Sequence, residues 1–189
     1  MRYIFLLSFL ISFSFAFSIN DSLLKIHAVL LPKIYLMDYN FKNKIKDNTI
    51  TIAILYDANS YRNAVSLDEK IKDRYKNKIQ DYNVKTVLLP YNKVSTFNAN
   101  LYYLFPSNIK NIKRTVKKAK EVKALTFSYL NNDLKDGIVL SLEIGKKVKP
   151  IINLNAAKSA DITFRPVLLK ISNIYTSKDN NTFSVGNKL

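Results

Sequence analysis

The sequence has no cysteine and no tryptophan, and it contains one histidine, three glycines and five prolines in 189 residues. Without cysteine there is no disulfide, no thiol nucleophile and no cysteine-based zinc site, so the fold depends on its core. The few glycines and prolines argue against collagen, long flexible linkers and disorder. These absences leave a folded domain that is stabilised by packing alone.

Patterns that mark an active site are also lacking. A Ser-His-Asp triad would need the single histidine, His27, which falls on the apolar side of a predicted helix and is interpreted as a packed side chain. There is no G-x-S-x-G elbow, no G-x-x-x-x-G-K-[ST] loop and no G-x-G-x-x-G loop. Residues 131–137 superficially resemble a calcium loop, but the distal glutamate is missing and a turn fits better. We therefore expect a protein that is not an enzyme, with no catalytic residues, no cofactor and no metal.

The N-terminus has the features of a signal peptide. Arg2 precedes an uncharged, mostly apolar stretch over residues 3–17, and small residues follow it. Ala16 and Ser18 fit the minus-three and minus-one positions of a cleavage site, and Ser14 and Ala16 fit an alternative site two residues earlier. The stretch is shorter than the roughly 20 apolar residues of a membrane-spanning helix, which favours cleavage over an uncleaved anchor. We expect a signal peptide over 1–18, cleaved after about Ala16 or Ser18, and export to the periplasm.

The net charge is +16, from 30 basic and 14 acidic residues. Such a balance is typical of nucleic-acid-binding proteins, but an exported protein rarely meets DNA, and the abundance of Lys, Asn and Ile is typical of an AT-rich genome. We therefore expect no nucleic-acid partner, and at most a weak contact with an anionic surface. The basic residues are densest in a predicted helix over 108–120, where Ile109, Ile112 and Val116 are expected to face inward.

Hydrophobic periodicity predicts alternating helices and strands. Helices are expected over residues 21–39, capped by Asp21 or Ser22, over 60–80 with Tyr61 among the inward side chains, and over 108–120. Strands are expected over residues 49–56, 84–89, 99–105 and 124–129. Residues 138–144 and 147–153 predict an antiparallel hairpin, followed by a short helix over 154–160, a closing helix over 164–175 and a polar tail over 177–189. The predicted fold is a single three-layer α/β domain over 19–176, with a mixed, mostly parallel sheet flanked by helices and an antiparallel hairpin near 137–153.

The segment 149–172 reads K-P-I-I-N-L-N-A-A-K-S-A-D-I-T-F-R-P-V-L-L-K-I-S. It resembles the C-terminal signature of the YfiR-like family, the DUF4154 domain, and the order of the other predicted elements extends the resemblance to residues 22–176. In its own right, Asn155 can cap the following helix and the two alanines permit close packing on the sheet, so a structural role is favoured over ligand contact. The matching positions and this cap make up the candidate site residues, which are Asn153, Leu154, Asn155, Ala156, Ala157, Leu168 and Leu169.

The resemblance implies a non-catalytic periplasmic regulatory protein. The best-studied members repress an inner-membrane diguanylate cyclase by binding its periplasmic sensor domain, which lowers cyclic di-GMP. The implied partner is thus an inner-membrane sensor protein, a cyclase or a histidine kinase, and a homodimer is a further candidate assembly. Two departures stand out: residues 37–40 read M-D-Y-N where relatives often have Trp-Pro, and the absence of cysteine rules out disulfide-based redox control. The alternative is a periplasmic solute-binding module with its ligand at the strand ends.

Overall fold

The computed structural model describes residues 19–176. The predicted signal peptide and the predicted polar tail lie outside these residues. Residues 19–176 contain five α-helices: α1 (Asp21–Tyr35), α2 (Tyr61–Tyr75), α3 (Ile109–Val122), α4 (Leu154–Ser159) and α5 (Pro166–Ile171). The same residues contain eight strands: β1 (Thr49–Tyr56), β2 (Lys78–Ile79), β3 (Tyr82–Pro90), β4 (Leu101–Leu104), β5 (Leu125–Ser128), β6 (Leu140–Ile144), β7 (Val148–Ile152) and β8 (Asn173–Ile174).

The eight strands form one mixed sheet in the order β2-β3-β1-β4-β5-β6-β7-β8. Strand β1 is central and pairs in parallel with both β3 and β4, and the pairs β4–β5, β5–β6 and β7–β8 are also parallel. The pairs β2–β3 and β6–β7 are antiparallel. The predicted α/β class, the mostly parallel sheet and the hairpin near 137–153 are therefore confirmed.

Strand β1 shows why this sheet has helices on both faces. Its sequence T-I-T-I-A-I-L-Y is almost continuously apolar, which is typical of a strand covered on both sides. Ile50, Ile52 and Ile54 lie in the core that contains residues of α1 and α2, whereas Ala53 and Leu55 lie in the core that contains residues of α3. The sheet is thus the middle of three layers.

The first helix is shorter than predicted, and its cap is a different residue. Asn20, and not Asp21 or Ser22, caps α1, because its side chain accepts a hydrogen bond from the backbone N–H of Ser22 at 2.8 Å. The helix ends at Tyr35 because the next backbone segment pairs with a distant part of the chain. The backbone N–H of Tyr39 donates to the carbonyl of Thr163 at 2.8 Å, which turns the chain away from the helix axis.

The second helix also ends earlier than predicted. It spans Tyr61–Tyr75 and is capped by Lys76 in the left-handed region at φ 48°, after which residues 78–79 form β2. The buried apolar side chains are Ala64, Leu67 and Ile71, whereas Tyr61, predicted to face inward, is 47% exposed. The inward stripe therefore begins one turn later than the apolar pattern indicated.

The predicted closing helix over 164–175 is wrong. Pro166 begins the six-residue helix α5, and Ser172 adopts an extended conformation that ends it. The chain then forms β8, in which Ile174 pairs with Ile152 of β7. Leu168 is buried, but Val167 and Ile171 are 61% and 58% exposed. Pairing with β7 has replaced the second half of the expected helix.

Candidate functional site

Asn153 is the structural centre of the segment that carries the family signature. It follows β7, and its backbone N–H donates to the carbonyl of Val139 at 2.8 Å. Its Oδ1 accepts from the N–H of Ala156 at 3.0 Å, and its Nδ2 donates to the carbonyl of Leu134 at 2.9 Å. Asn153 is thus the cap of α4, and the prediction that Asn155 supplies this cap is wrong. One side chain joins the end of β7, the start of α4 and the turn before β6.

The other signature residues divide into buried and exposed groups. Ala156 and Ala157 are buried on the inner side of α4, and Leu168 is buried on the inner side of α5. Leu154 and Asn155 are exposed, and Leu169 is half-buried. Leu154 and Leu169 meet in a shallow groove of about 260 Å³ that Ala157 also lines. The signature therefore forms the junction between α4 and α5, and two of its apolar side chains, Leu154 and Leu169, line an open groove.

We expect replacement of Asn153 with alanine to lower the free energy of unfolding by about 1 to 3 kcal/mol. The change removes an N-cap and leaves the Leu134 carbonyl without its amide donor. Urea denaturation would measure the loss. Asn155→Ala is the matched control, since this side chain is exposed in the same helix and should leave stability nearly unchanged. Equal losses in the two variants would contradict this role for Asn153.

Sequence reasoning missed a buried ion pair between Asp38 and Lys44. Lys44 Nζ lies 2.7 Å from Asp38 Oδ2, and the two side chains are only 8% and 4% exposed. Asp38 Oδ1 accepts from the backbone N–H of Thr163 at 3.0 Å and from that of Asn40 at 3.2 Å. Lys44 Nζ also donates to the backbone carbonyl of Asp161. The pair ties the segment after α1 to the segment between α4 and α5.

The surroundings of Asp38 extend this connection. The backbone N–H of Arg165 donates to the carbonyl of Met37 at 2.8 Å, and the Arg165 guanidinium lies 5.5 Å from the centre of the Tyr39 ring. Burial, together with the nearby Asp38 carboxylate, raises the pKa of Tyr35. The M-D-Y-N segment, where relatives often have Trp-Pro, is therefore the place where the N-terminal and C-terminal parts of the domain meet.

A wider groove of about 600 Å³ lies beside this junction, at the amino end of β3. Its lining combines apolar side chains with three cations and one carboxylate. Lys33, Lys42 and Arg165 supply the positive charge, while Phe41 and Tyr82, whose ring centres are 5.2 Å apart, supply an aromatic wall. Its volume is in the range of small-molecule sites, and its charge suits an anionic solute.

His27 is enclosed by aromatic rings and does not face either groove. Its Nδ1 lies 2.7 Å from the hydroxyl of Tyr103, and the rings of Tyr103, Phe127 and Tyr129 pack around it at 5.2 to 5.6 Å. Burial lowers the pKa of His27 to about 3, so the imidazole is neutral at physiological pH. At 1% exposure it belongs to the core and offers no surface to a substrate.

The acidic side chains of the described residues are dispersed. Within residues 19–176, no three His, Asp or Glu side chains lie close enough together to hold a metal ion. The segment with a superficial likeness to a calcium loop is a 3-10 helix, Asn131–Asp136, in which Asp133 is buried and accepts a hydrogen bond from Ser128 Oγ. Burial raises the pKa of this carboxyl. In the same part of the chain, no helix is both long enough and apolar enough to span a membrane.

Helix α3 presents a strongly basic outer face. Its inner side is formed by Ile112, Thr115, Val116 and Ala119, whereas Ile109, predicted to face inward, is 48% exposed at the first turn. Glu121 is the one carboxylate in the helix sequence. The outer face carries six cations, which are Lys110, Lys113, Arg114, Lys117, Lys118 and Lys120.

Comparison with known proteins identifies one family. The model of the DUF4154 family, described as YfiR/HmsC-like, matches residues 41–173, which is more than half of the chain. No match was found among the curated proteins.

Two solved structures are similar in fold. A conserved domain protein from Vibrio cholerae O1 biovar El Tor has a TM-score of 0.56 and 16% identity, covering 80% of this chain and 59% of that one. The ABC domain from Streptococcus pneumoniae in complex with L-Trp has a TM-score of 0.49 and 14% identity, covering 75% of this chain and 61% of that one. The chain therefore spans about three fifths of the length of these structures. At 16% identity, the likeness to the Vibrio cholerae protein shows a shared fold alone.

Proposed function

The chain belongs to the YfiR/HmsC-like family, and from this we propose that it is a non-catalytic regulator that binds the periplasmic sensor region of an inner-membrane diguanylate cyclase or histidine kinase. Membership supports a regulatory role in cyclic di-GMP signalling in general, and a place in the periplasm. The family match over residues 41–173 carries the proposal.

Regulation of this kind needs a surface with unequal affinity for two conformations of the partner. A ligand shifts a two-state equilibrium only by its differential affinity for the two states, and no covalent chemistry is required. The described residues are consistent with this role, because the single histidine is buried and neutral and the carboxylates are dispersed.

We propose the following division of the chain. Residues 1–18 are a signal peptide that is removed on export, residues 19–176 are the regulatory domain, and residues 177–189 are a polar tail. N-terminal sequencing of the mature protein distinguishes cleavage after Ala16 from cleavage after Ser18. We propose that the role of the signature residues from Asn153 to Leu169 is mainly structural, because they form the junction between α4 and α5.

Deletion of the gene tests the regulatory role. We expect cellular cyclic di-GMP, measured by mass spectrometry of extracts, to change severalfold, and we expect the tagged protein to co-purify with an inner-membrane protein that carries a cyclase or kinase domain. Complementation with the full chain should restore the original level. Unchanged cyclic di-GMP, together with no membrane partner after crosslinking, would refute the proposal.

Binding of a small anionic solute is the alternative, and the 600 Å³ groove with Lys33, Lys42 and Arg165 favours it. A ligand at 100 times its dissociation constant adds about 2.7 kcal/mol to stability. A panel of anionic solutes in a thermal-shift screen therefore separates the two functions. A shift that Lys42→Ala abolishes, with cyclic di-GMP unchanged by deletion, would favour the solute-binding module.

A further inference from the structure

Exposed apolar side chains are concentrated in the C-terminal part of the described residues. Of nine large apolar residues that are substantially exposed within residues 19–176, six lie between positions 144 and 174. Single exposed apolar side chains are ordinary on protein surfaces, whereas a group of them marks an interaction site. We call five of these six side chains the apolar corner: Ile144, Val148, Val167, Ile171 and Ile174.

The strand register places three of these side chains on one face of the sheet. Ile144 and Val148 are direct partners across the β6–β7 hairpin, and Ile174 of β8 is the partner of Ile152. Side chains alternate along a strand, so Val148 lies on the same face as Ile152. Since Ile152 belongs to the core that also contains Leu168 of α5, this is the face on which α5 lies.

Helix α5 contributes the remaining two side chains. Val167 and Ile171 are four residues apart and therefore lie on the same side of the helix. They are 61% and 58% exposed, while Leu168 between them is buried and fixes the helix on the sheet. A short helix that is anchored by one leucine thus holds two branched apolar side chains towards solvent.

The charges in the segment that carries the apolar corner are almost all positive, although strand alternation places Lys149 on the opposite face of the sheet from Val148. Residues 144–174 contain five lysines and one arginine against a single carboxylate, Asp161, and that carboxylate is paired with Lys123 at 2.9 Å. Glu143, just before this range, accepts a hydrogen bond from Asn173. A surface that complements the corner therefore has an apolar centre and an acidic rim.

The same charges help to decide which of three candidate partners binds the apolar corner. A second copy of this chain, placed symmetrically, would bring lysines against lysines, which is unfavourable. A lipid surface is usually bound by longer amphipathic helices that carry Trp, Phe or Leu, whereas α5 has six residues and exposes Val and Ile. A folded protein surface with acidic residues around an apolar patch fits both the charge and the rigid shape.

We propose that the apolar corner is the surface by which this protein binds its partner, and that the partner offers an apolar patch rimmed by Asp and Glu. This inference rests on the proposed function, because it assigns the docking surface for the membrane sensor protein. It requires no contribution from the basic face of α3 or from the 600 Å³ groove. Two of the five side chains, Val167 and Ile171, lie within the signature segment, which would link that segment to partner binding through the position it gives to α5.

Site-specific photo-crosslinking in the producing cells tests the assignment. A photoreactive phenylalanine analogue is placed in the full chain at Val167, Ile171 or Ile174, and at the control positions Tyr61 and Ile109, which are 47% and 48% exposed but lie in α2 and α3. We expect the three corner positions to give an adduct with one integral membrane protein, at least tenfold above the controls. Mass spectrometry of the adduct identifies the protein and its crosslinked segment, which should be acidic.

Substitutions in the corner supply a second readout. Ile171→Ser and Lys170→Glu should each reduce the adduct formed at Val167 at least fivefold, whereas Ile109→Ser should not. Thermal denaturation of each purified variant checks that folding is retained, which is expected because Ile171, Lys170 and Ile109 are all exposed.

The possible outcomes distinguish failure of the proposed docking surface from failure of the proposed regulatory function. Crosslinking of a membrane signalling protein from the controls, and not from the corner, would overturn the docking surface and leave the regulatory function standing. An adduct between two copies of this chain would show that the apolar corner binds a second copy and not a membrane protein. If the protein is found on the membrane without any protein adduct, and the purified protein binds vesicles of anionic phospholipid, the apolar corner binds lipid. Either result would overturn the proposed partner. No adduct at any position, with unchanged cyclic di-GMP on deletion, would refute both.

Discussion

Replacement of Asp38 with asparagine is expected to lower the free energy of unfolding by about 3 to 5 kcal/mol. The change leaves the Lys44 ammonium buried, with its side chain 8% exposed, and without the carboxylate that now lies 2.7 Å away. A loss of this size is a large fraction of the total stability of a typical domain. Urea denaturation at pH 7 is the measurement, and partial unfolding at moderate temperature is an expected consequence.

A double-mutant cycle tests whether the pair itself is responsible. In Asp38→Asn with Lys44→Met, no charge remains buried, so the double variant should be more stable than Asp38→Asn alone. Asp21→Asn is the control, because Asp21 also contacts two lysines but is exposed, and its replacement should have little measurable effect. A loss for Asp38→Asn no greater than that for Asp21→Asn would contradict a buried pair.

Acidification should destabilise the protein through His27. The unfolded chain takes up a proton near pH 6.5, whereas burial lowers the pKa of His27 in the folded protein to about 3. Between these values the unfolded state binds more protons, so stability falls as the pH falls. From pH 7 to pH 4, this residue alone should remove roughly 3 kcal/mol.

Comparison with His27→Asn isolates this contribution from that of the carboxylates. Asparagine does not titrate and retains a hydrogen-bonding side chain beside the Tyr103 hydroxyl, so the variant is less stable at pH 7 through looser packing between the rings. The difference in unfolding free energy between the natural protein and the variant should shrink by about 3 kcal/mol at pH 4. A difference that stays constant with pH would mean that His27 does not titrate on unfolding.

Patterns within a short window predicted much of the fold. The branched run of β1 and the apolar strands of the β6–β7 hairpin each depend on residues close in sequence, and both appear in the structure. The α4 cap was misplaced by two residues because Asn153 and Asn155 are both good caps, and the end of β7 at Ile152 decides between them.

The larger errors have a common physical origin, which is contact between distant segments. The spacing of Val167, Leu168, Ile171 and Ile174 fits a helix, and only the pairing of Ile174 with Ile152 shows that its last part is a strand. The Asp38–Lys44 pair has no sequence signature, since its burial depends on Thr163 and the carbonyl of Asp161. The apolar corner was missed for the same reason, because Val167, Ile171 and Ile174 fit the spacing of a single closing helix.

The two edge strands of the sheet, β2 and β8, have only two residues each. A strand this short covers only part of its neighbour: β2 pairs with Tyr82 and Asn83 of β3, so among the described residues no strand covers the outer edge of residues 85–90. Natural proteins blunt such edges with lysine and proline, and this one carries the exposed Lys85 and ends at Pro90, which has no N–H to donate. Protection of this edge against pairing with another chain therefore depends on those two residues and not on the shortness of β2.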